Sequence, residues 1–180
     1  MAHQPHLPPG VVPEPTEDGQ TSVWTFPRPP VVAPDHRQVV VMLGRQVICR
    51  TSSAVKVLET SHPPTWYLPL DDFVTGSVQP ANGSSFCEYK GMANYFDLIA
   101  VPAKGGRLPE AVAEQAAWGY PNPSPGYELL AGRIALYAGR VDSVTVDGER
   151  VRPQPGGFYG GWVTHDVTGP FKGAPGTNFW

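Results

Sequence analysis

The sequence predicts a mainly β protein with antiparallel sheets, one or two short helices and extended arms at both ends. Of its 180 residues, 22 are proline and 20 are glycine, whereas only 16% are charged. Proline is excluded from helix interiors and central strands, and glycine weakens both, so this composition favours short strands joined by many turns. The hydrophobic fraction of 41% still allows a buried core, and the length fits one domain.

Two β-hairpins are predicted where apolar runs flank turn residues. The first pairs residues 38–43 with residues 46–49 across a Gly-Arg turn. The second pairs residues 86–89 with residues 93–99 across Lys90-Gly91. β-Branched and aromatic residues on both sides of a short glycine-containing turn are typical of hairpins.

Further strands are expected at residues 66–68, 134–137 and 143–146, with a tight turn at Asp147-Gly148 after the last of them. Residues 71–77 are another candidate strand. Several short strands at close spacing, separated by turn signals, indicate an all-β roll, sandwich or barrel.

Helical signals are confined to two short segments. Residues 51–59 are predicted as a short helix, because a polar N-cap series precedes Ala54, Val57 and Leu58 at helical spacing. Residues 110–117 are rich in alanine and fit either a helical turn or a strand. Residues 80–85, which contain Asn-Gly, predict a turn.

Three regions follow from the composition along the chain. Residues 1–22 carry five prolines and read as a flexible arm, and residues 23–152 form the β domain. Residues 153–180 are rich in glycine and proline but also contain six large aromatic residues. Disordered tails are poor in aromatics, so we expect this extension to pack on the domain.

Charge and cysteine content exclude several classes of protein. The net charge of −3 and the lack of a Lys/Arg run argue against nucleic acid as a partner. No apolar stretch is long enough for a membrane span, and residues 1–15 lack the features of a signal peptide. Cys49 and Cys87 are expected to be free thiols, which fits a cytoplasmic protein.

Several motifs resemble one bacterial family. They are Leu58-Glu59-Thr60-Ser61, Trp66-Tyr67-Leu68-Pro69, Cys87-Glu88-Tyr89-Lys90-Gly91, Trp118-Gly119-Tyr120-Pro121-Asn122-Pro123 and Ile134-Ala135-Leu136-Tyr137. Through them, residues 37–152 resemble the DUF427 family, a domain of unknown function, and the flanking segments resemble its long form. The resemblance implies an Mss4-like, or β-tent, fold. Glu88 stands where the family usually has proline.

The resemblance implies little about activity. Relatives of the wider fold often bind zinc through two Cys-x-x-Cys pairs, whereas this chain has only Cys49 and Cys87. No metal or other cofactor is therefore expected. The family has also been described as nucleotidyltransferase-like, but the chain has no P-loop. Asp71 and Asp72 are adjacent, so on a strand their side chains would point to opposite faces.

Three residues are candidates for catalysis. Lys90, covered by neighbouring aromatic rings, could act as a base or anion anchor, or it could be a solvated turn residue. Glu59, beside apolar residues, could act as an acid, or it could be an exposed or ion-paired residue. Cys87 could be a nucleophile activated by Lys90, although a buried free cysteine is the commoner case.

A second group is expected to bind a ligand. Its aromatic members are Trp66, Tyr67, Tyr95, Trp118 and Tyr120. They could line a pocket for a flat ligand, or they could form the core of the domain. Arg50 could hold an acidic group of the ligand through two parallel hydrogen bonds, or it could be a surface residue.

Three functional hypotheses remain open on the sequence. The first is a small-molecule-binding domain, whose pocket lies between the sheets near Lys90; if it is an enzyme, it uses Lys/Glu acid–base chemistry on an organic substrate without a metal. The second is a non-catalytic interaction module that presents its aromatic arms to a partner or forms a homodimer. The third is nucleotidyl transfer. Whether the protein is an enzyme is not decided by the sequence.

Overall fold

The computed structural model of the protein describes residues 7–102 and 104–180, which form fifteen strands, four 3-10 turns and no α-helix. The strands are Thr21–Ser22 (β1), Val31–Asp35 (β2), Val39–Leu43 (β3), Gln46–Thr51 (β4), Ala54–Leu58 (β5), Thr65–Pro69 (β6), Val78–Cys87 (β7), Gly91–Ala100 (β8), Ala111–Gly119 (β9), Arg133–Leu136 (β10), Ser143–Val146 (β11), Glu149–Arg150 (β12), Arg152–Pro153 (β13), Trp162–Val163 (β14) and Val167–Thr168 (β15). The 3-10 turns are Val23–Thr25, Leu70–Asp72, Glu128–Leu130 and Ala138–Arg140.

Two antiparallel sheets dominate the fold and confirm the predicted mainly β class. The larger sheet has seven strands in the order β2-β5-β6-β10-β9-β8-β7, and the smaller has four in the order β12-β11-β3-β4. Two short pairs, the parallel β1–β15 and the antiparallel β13–β14, join the arms to each other and to the domain. The finer Mss4-like or β-tent label stays a prediction.

Both predicted hairpins are confirmed. β3 pairs with β4 across Gly44-Arg45, whose φ angles are both positive, 57° and 62°. Positive φ at both turn residues matches the right-handed twist of the flanking strands. β7 pairs with β8 through the turn at residues 88–90, with Cys87 opposite Gly91. The strands expected at 66–68, 134–137 and 143–146 are β6, β10 and β11.

The predicted helix at residues 51–59 is wrong, because Ala54–Leu58 is strand β5. This strand lies between β2 and β6 and bonds to both. Pairing on two sides satisfies the backbone without a helix, and the β-branched Val55 and Val57 suit the pleated surface. Residues 110–117, for which a strand was one of two readings, contribute most of β9.

Two further expectations are corrected. The turn predicted at residues 80–85 lies inside β7, where an irregularity between Pro80 and Ser84 shifts the register against β8. A bulge accommodates proline and glycine within an edge strand. The candidate strand at residues 71–77 is instead the 3-10 turn Leu70–Asp72 followed by a loop, with a single bridge from Phe73 to Cys49.

Apolar side chains from both sheets fill the space between them. The buried members include Val39, Val41, Ile48, Leu68, Leu98, Ile134, Leu136 and Val144. Trp66 stacks on Trp162 with ring centroids 5.6 Å apart, and the indole N–H of Trp162 donates to the Leu136 carbonyl at 3.1 Å. The sequence hypothesis put a ligand pocket in this space, which the core occupies.

The two arms pack against each other. Trp24 and Trp180 meet edge to face, with centroids 5.4 Å apart, and the Trp24 indole donates to the Pro170 carbonyl at 3.0 Å. The Gly169 amide donates to the Glu14 carboxylate at 3.0 Å. The division into residues 1–22, 23–152 and 153–180 stays a prediction, and residues 1–6 lie outside the described part.

Candidate functional site

The outer face of the seven-stranded sheet, opposite the core, carries a second cluster of aromatic side chains. Because side chains alternate along a strand, Trp66 and Leu68 of β6 enter the core and Tyr67 points to the other face. The buried members of this outer cluster are Val55, Val57, Tyr67, Ala93, Tyr120, Tyr127, Leu130 and Ala135, with Val32, Cys87, Tyr89 and Trp118 packed against them. We call this surface the tyrosine face.

The turn between β7 and β8 brings Lys90 to the tyrosine face. The Lys90 carbonyl accepts a hydrogen bond from the Ser124 amide at 3.0 Å. Gly91 follows with a φ of 100°, and a Cβ at that position would lie 3.3 Å from the Ser124 hydroxyl. Glycine at this position therefore lets the turn lie close against the Pro-rich loop after Tyr120.

Lys90 and Glu59 both approach the tyrosines but do not pair with each other. The Lys90 ammonium lies 5.8 Å from the centre of the Tyr120 ring, and both charged side chains are partly buried. Burial raises the pKa values of Tyr67, Tyr120 and Tyr127, and the negative charge of Glu59 raises them further. The ion pairs found within residues 7–102 and 104–180 include neither Lys90 nor Glu59.

Tyr67 and Tyr120 are protonated at neutral pH. Burial is the main cause that raises the pKa of each phenol well above its ordinary value. A neighbouring Cys87 and the charge of Glu59 act in the same direction. Both hydroxyls therefore remain hydrogen-bond donors, and neither is suited to accept a proton as a base.

The two cysteines differ in exposure. Cys49 is buried in the core, where burial raises its thiol pKa to about 12. Cys87 is partly exposed at the end of β7, beside Tyr120 on the tyrosine face. Since the sequence contains two cysteines and reactivity needs both access and the thiolate, Cys87 is the thiol that a reagent can reach.

His62 lies beside this face and is not among the candidate residues that the sequence suggests. Its Nδ1 lies 3.0 Å from the amide nitrogen of Gln154, which also donates to the Lys172 carbonyl at 2.8 Å. The Gln154 oxygen accepts from the Gly161 amide at 3.0 Å. These partners fix the amide orientation, so Nδ1 accepts and the ring proton resides on Nε2.

The His62 ring is held neutral. Burial is the main cause that lowers its pKa to about 3, and the positive charges of Lys172, Arg28 and Lys90 lower it further. The ring of Tyr159 packs edge-on against it at 4.7 Å. The sequence does contain a signal for His62, because this residue directly follows Glu59-Thr60-Ser61, which belongs to one of the family motifs.

The remaining predicted residues divide between the tyrosine face and other places. Tyr95 and Trp118 stand opposite each other on β8 and β9, and Trp118 contacts Tyr67 at a centroid distance of 6.5 Å. Trp66 is buried in the core instead. Arg50 is exposed on β4 of the smaller sheet, where it donates to Gln38 at 3.1 Å. The structure therefore brings neither Trp66 nor Arg50 to the tyrosine face.

The C-terminal extension borders the tyrosine face. A Cβ at Gly160 would lie 2.1 Å from the Trp118 ring, so the backbone rests directly on the indole. Next to it, a cavity of about 410 Å³ is lined by Tyr137, Arg140, Tyr159 and residues 153–157 among others. A second cavity of about 390 Å³ lies elsewhere, between Leu70 and Phe96.

Across residues 7–102 and 104–180, no group of three or more His, Cys, Asp or Glu side chains is arranged to hold a metal ion. The same residues form no helix with the length and apolar character needed to cross a bilayer.

Comparisons with known proteins place the chain in a family. No curated protein matches it. The family model described as "Domain of unknown function (DUF427)" matches residues 31–147, which include β2 to β11 and most of the tyrosine face. Because this match spans more than half of the 180 residues, the protein belongs to the DUF427 family.

Proposed function

We propose that the protein binds a small organic molecule on the tyrosine face and that Glu59 and Lys90 supply its acid–base groups. One observation carries this proposal: Glu59 after β5, Lys90 after β7 and Tyr120 after β9 come from separate segments and converge on one surface. Polar groups that converge among aromatic side chains are typical of ligand sites. We also infer a bacterial, cytoplasmic protein, which the two free thiols support.

The proposed ligand would meet three kinds of group. The partly exposed rings of Tyr89, Tyr95 and Trp118 offer apolar and π surface to a flat molecule, above the buried Tyr67 and Tyr120. The protonated hydroxyl of Tyr120, which is less deeply buried than Tyr67, donates a hydrogen bond to a ligand oxygen or nitrogen atom. Lys90 supplies a cation that aromatic neighbours partly shield from water, which strengthens its attraction to a polar group.

Acid–base chemistry would divide between the two charged residues. The Glu59 carboxylate accepts a proton from the substrate, and the Lys90 ammonium stabilises the negative charge that develops on it. Burial raises the pKa of Tyr120, so its hydroxyl stays protonated. It donates a hydrogen bond to the same developing negative charge. This division needs no metal ion and uses residues that already flank the same rings.

A non-catalytic interaction surface is the second candidate. Trp24 and Phe26, which follow the N-terminal arm, do not support it, because both are buried within the chain. Phe86 and Met92 favour it better, because they are 72% and 50% exposed and are paired across β7 and β8. Exposed apolar neighbours on an edge strand are typical of pairing surfaces.

The experiment is a thermal-shift screen of metabolites, followed by iodoacetamide alkylation of Cys87 with each stabilising compound. A ligand on the tyrosine face should slow alkylation of Cys87 in proportion to its occupancy. The variant Tyr120→Phe should weaken that ligand about tenfold by removing one hydrogen bond, whereas Arg50→Gln, on the other sheet, should leave its affinity unchanged. Stabilising compounds that leave the alkylation rate of Cys87 unchanged would place the binding site elsewhere.

A further inference from the structure

Three basic side chains from three distant segments surround His62. The Arg28 guanidinium donates to the Thr60 carbonyl at 3.4 Å, two residues before His62. The Lys172 amide donates to the Ser61 carbonyl at 2.9 Å, and the Lys172 ammonium lies 5.6 Å from the centre of the Tyr159 ring. Lys90 belongs to the same neighbourhood, because its ammonium lies 5.8 Å from the centre of the Tyr120 ring and its charge adds to those that lower the pKa of His62. We call these three cations the basic rim.

The basic rim borders the tyrosine face. Tyr89 packs against that face, and the charge of Arg28 is close enough to lower the pKa of its phenol. Lys90 lies over the Tyr120 ring. Arg28 is exposed, and Lys90 and Lys172 are partly exposed, so solutes reach all three. A ligand on the tyrosines therefore lies beside a cationic edge.

The basic rim has few negative partners. The four ion pairs among residues 7–102 and 104–180 use Arg37, Lys56 and His165 as cations and none of the rim residues. The Lys172 ammonium donates to the main-chain oxygen of Trp180 at 3.0 Å, and the Arg28 guanidinium donates to the Thr60 carbonyl. Like charges gathered beside a buried ring repel one another unless an anion joins them.

His62 adds a donor rather than another charge. Its Nδ1 is occupied by the Gln154 amide, so the ring proton resides on Nε2. A neutral imidazole N–H can bond to an anion without adding to the repulsion among the three cations. Cationic side chains together with neutral N–H and O–H donors are the groups that recognise carboxylates and phosphates.

We propose that the ligand of the tyrosine face is an organic anion, whose aromatic or other apolar part lies on the partly exposed rings of Tyr89 and Trp118 and whose carboxylate or phosphate group is held by Arg28, Lys90 and Lys172. This inference rests on the proposed function, because it names the class of ligand for the same surface. Glu59 carries the opposing charge near the same ring, since it raises the pKa of Tyr89 whereas Arg28 lowers it. Its negative charge weakens anion binding, so removing it strengthens the binding.

The test compares four probes that share a benzene ring and differ in charge: benzoate, phenyl phosphate, benzyl alcohol and benzyltrimethylammonium. For each, the concentration that halves the rate of Cys87 alkylation by iodoacetamide is measured, with thermal shift as a second readout. An anionic probe should protect at a concentration at least about tenfold below that of benzyl alcohol, and protection should weaken as salt rises. Benzoate and phenyl phosphate separate a carboxylate from a phosphate ligand.

Variants then show which charged residues hold the anionic group of the probe. Arg28→Gln and Lys90→Gln should each weaken the preferred anion about tenfold and leave benzyl alcohol unchanged, and Glu59→Gln should tighten the anion. Arg50→Gln is the matched control and should change nothing. Equal or better protection by benzyl alcohol or by benzyltrimethylammonium overturns the anion inference and leaves the proposed function standing. If none of the probes protects Cys87 or shifts the melting temperature, both proposals fail.

Discussion

Acidification below pH 6.5 should destabilise the protein through His62. The ring has an ordinary pKa of 6.5 when unfolded and a pKa of about 3 when folded, chiefly because of burial. Below pH 6.5 the unfolded chain therefore binds a proton that the folded chain does not bind, and the free energy of unfolding falls as the pH falls. Each pH unit well inside this window costs about 1.4 kcal/mol.

The expected loss is measurable over a narrow range. Between pH 6.5, where the unfolded ring is half protonated, and a pH of about 4.5, the free energy of unfolding should drop by about 2 kcal/mol. For a chain of this length, such a change lowers the melting temperature by roughly 4–8 °C. Urea unfolding at three pH values in this window, with the slope m held constant, gives the free energy directly.

Other titrating groups do not obscure this window. Asp35, Asp166 and the exposed Glu128 have lowered pKa values in the fold, so their stabilising effect is lost only as the pH falls through their ordinary values of 3.8, 3.8 and 4.5, at or below the end of this window. His165 has a raised pKa beside Glu149, so its contribution is fully present below pH 6.5 and does not change there. The variant His62→Gln should not lose stability between pH 6.5 and about 4.5. The variant His36→Gln, at an exposed histidine, should lose as much as the parent protein. An identical pH dependence in His62→Gln and the parent protein would refute the reasoning.

Three substitutions test other parts of the structure. Gly160→Ala should lower stability by about 1–3 kcal/mol and change tryptophan fluorescence, because its Cβ would lie 2.1 Å from Trp118. Gly139→Ala, whose nearest contact would be at 3.7 Å, should be tolerated; equal losses in the two would contradict the contact. Asp35→Asn should cost about 3 kcal/mol by leaving Arg37 and Lys56 without their shared carboxylate, and a neutral result in urea unfolding would contradict that role. Trp162→Ala should cost about 3–5 kcal/mol through the cavity it leaves against Trp66; a loss below about 1 kcal/mol by the same assay would show that the stack contributes little.

The hairpins were predictable because their signals are local. Alternating apolar residues and a glycine turn lie within about ten residues of each other at β3–β4 and at β7–β8. Strand β5 was missed because its pairing partners, β2 and β6, decide its conformation and its own sequence does not. The Asn-Gly segment inside β7 was missed for a related reason, since a bulge and a turn use the same residues.

The tyrosine face was only partly predictable. The family motifs contain Glu59, Tyr67, Cys87, Lys90, Trp118 and Tyr120, and all of them lie on or beside it. Trp66 shares a motif with Tyr67, but the alternation of β6 sends it to the core. Arg28 and Lys172 lie in the two arms, and their approach to His62 depends on contacts between distant segments, to which local patterns are blind.

The most direct measurement of ligand binding at the tyrosine face is an NMR titration with a stabilising metabolite, following the tyrosine ring signals and the tryptophan indole signals. The proposed site predicts that Tyr67, Tyr120 and Trp118 shift together along one binding curve. Shifts confined to the signal of Tyr159 at the cavity of the C-terminal extension, with these three signals unmoved, would contradict it.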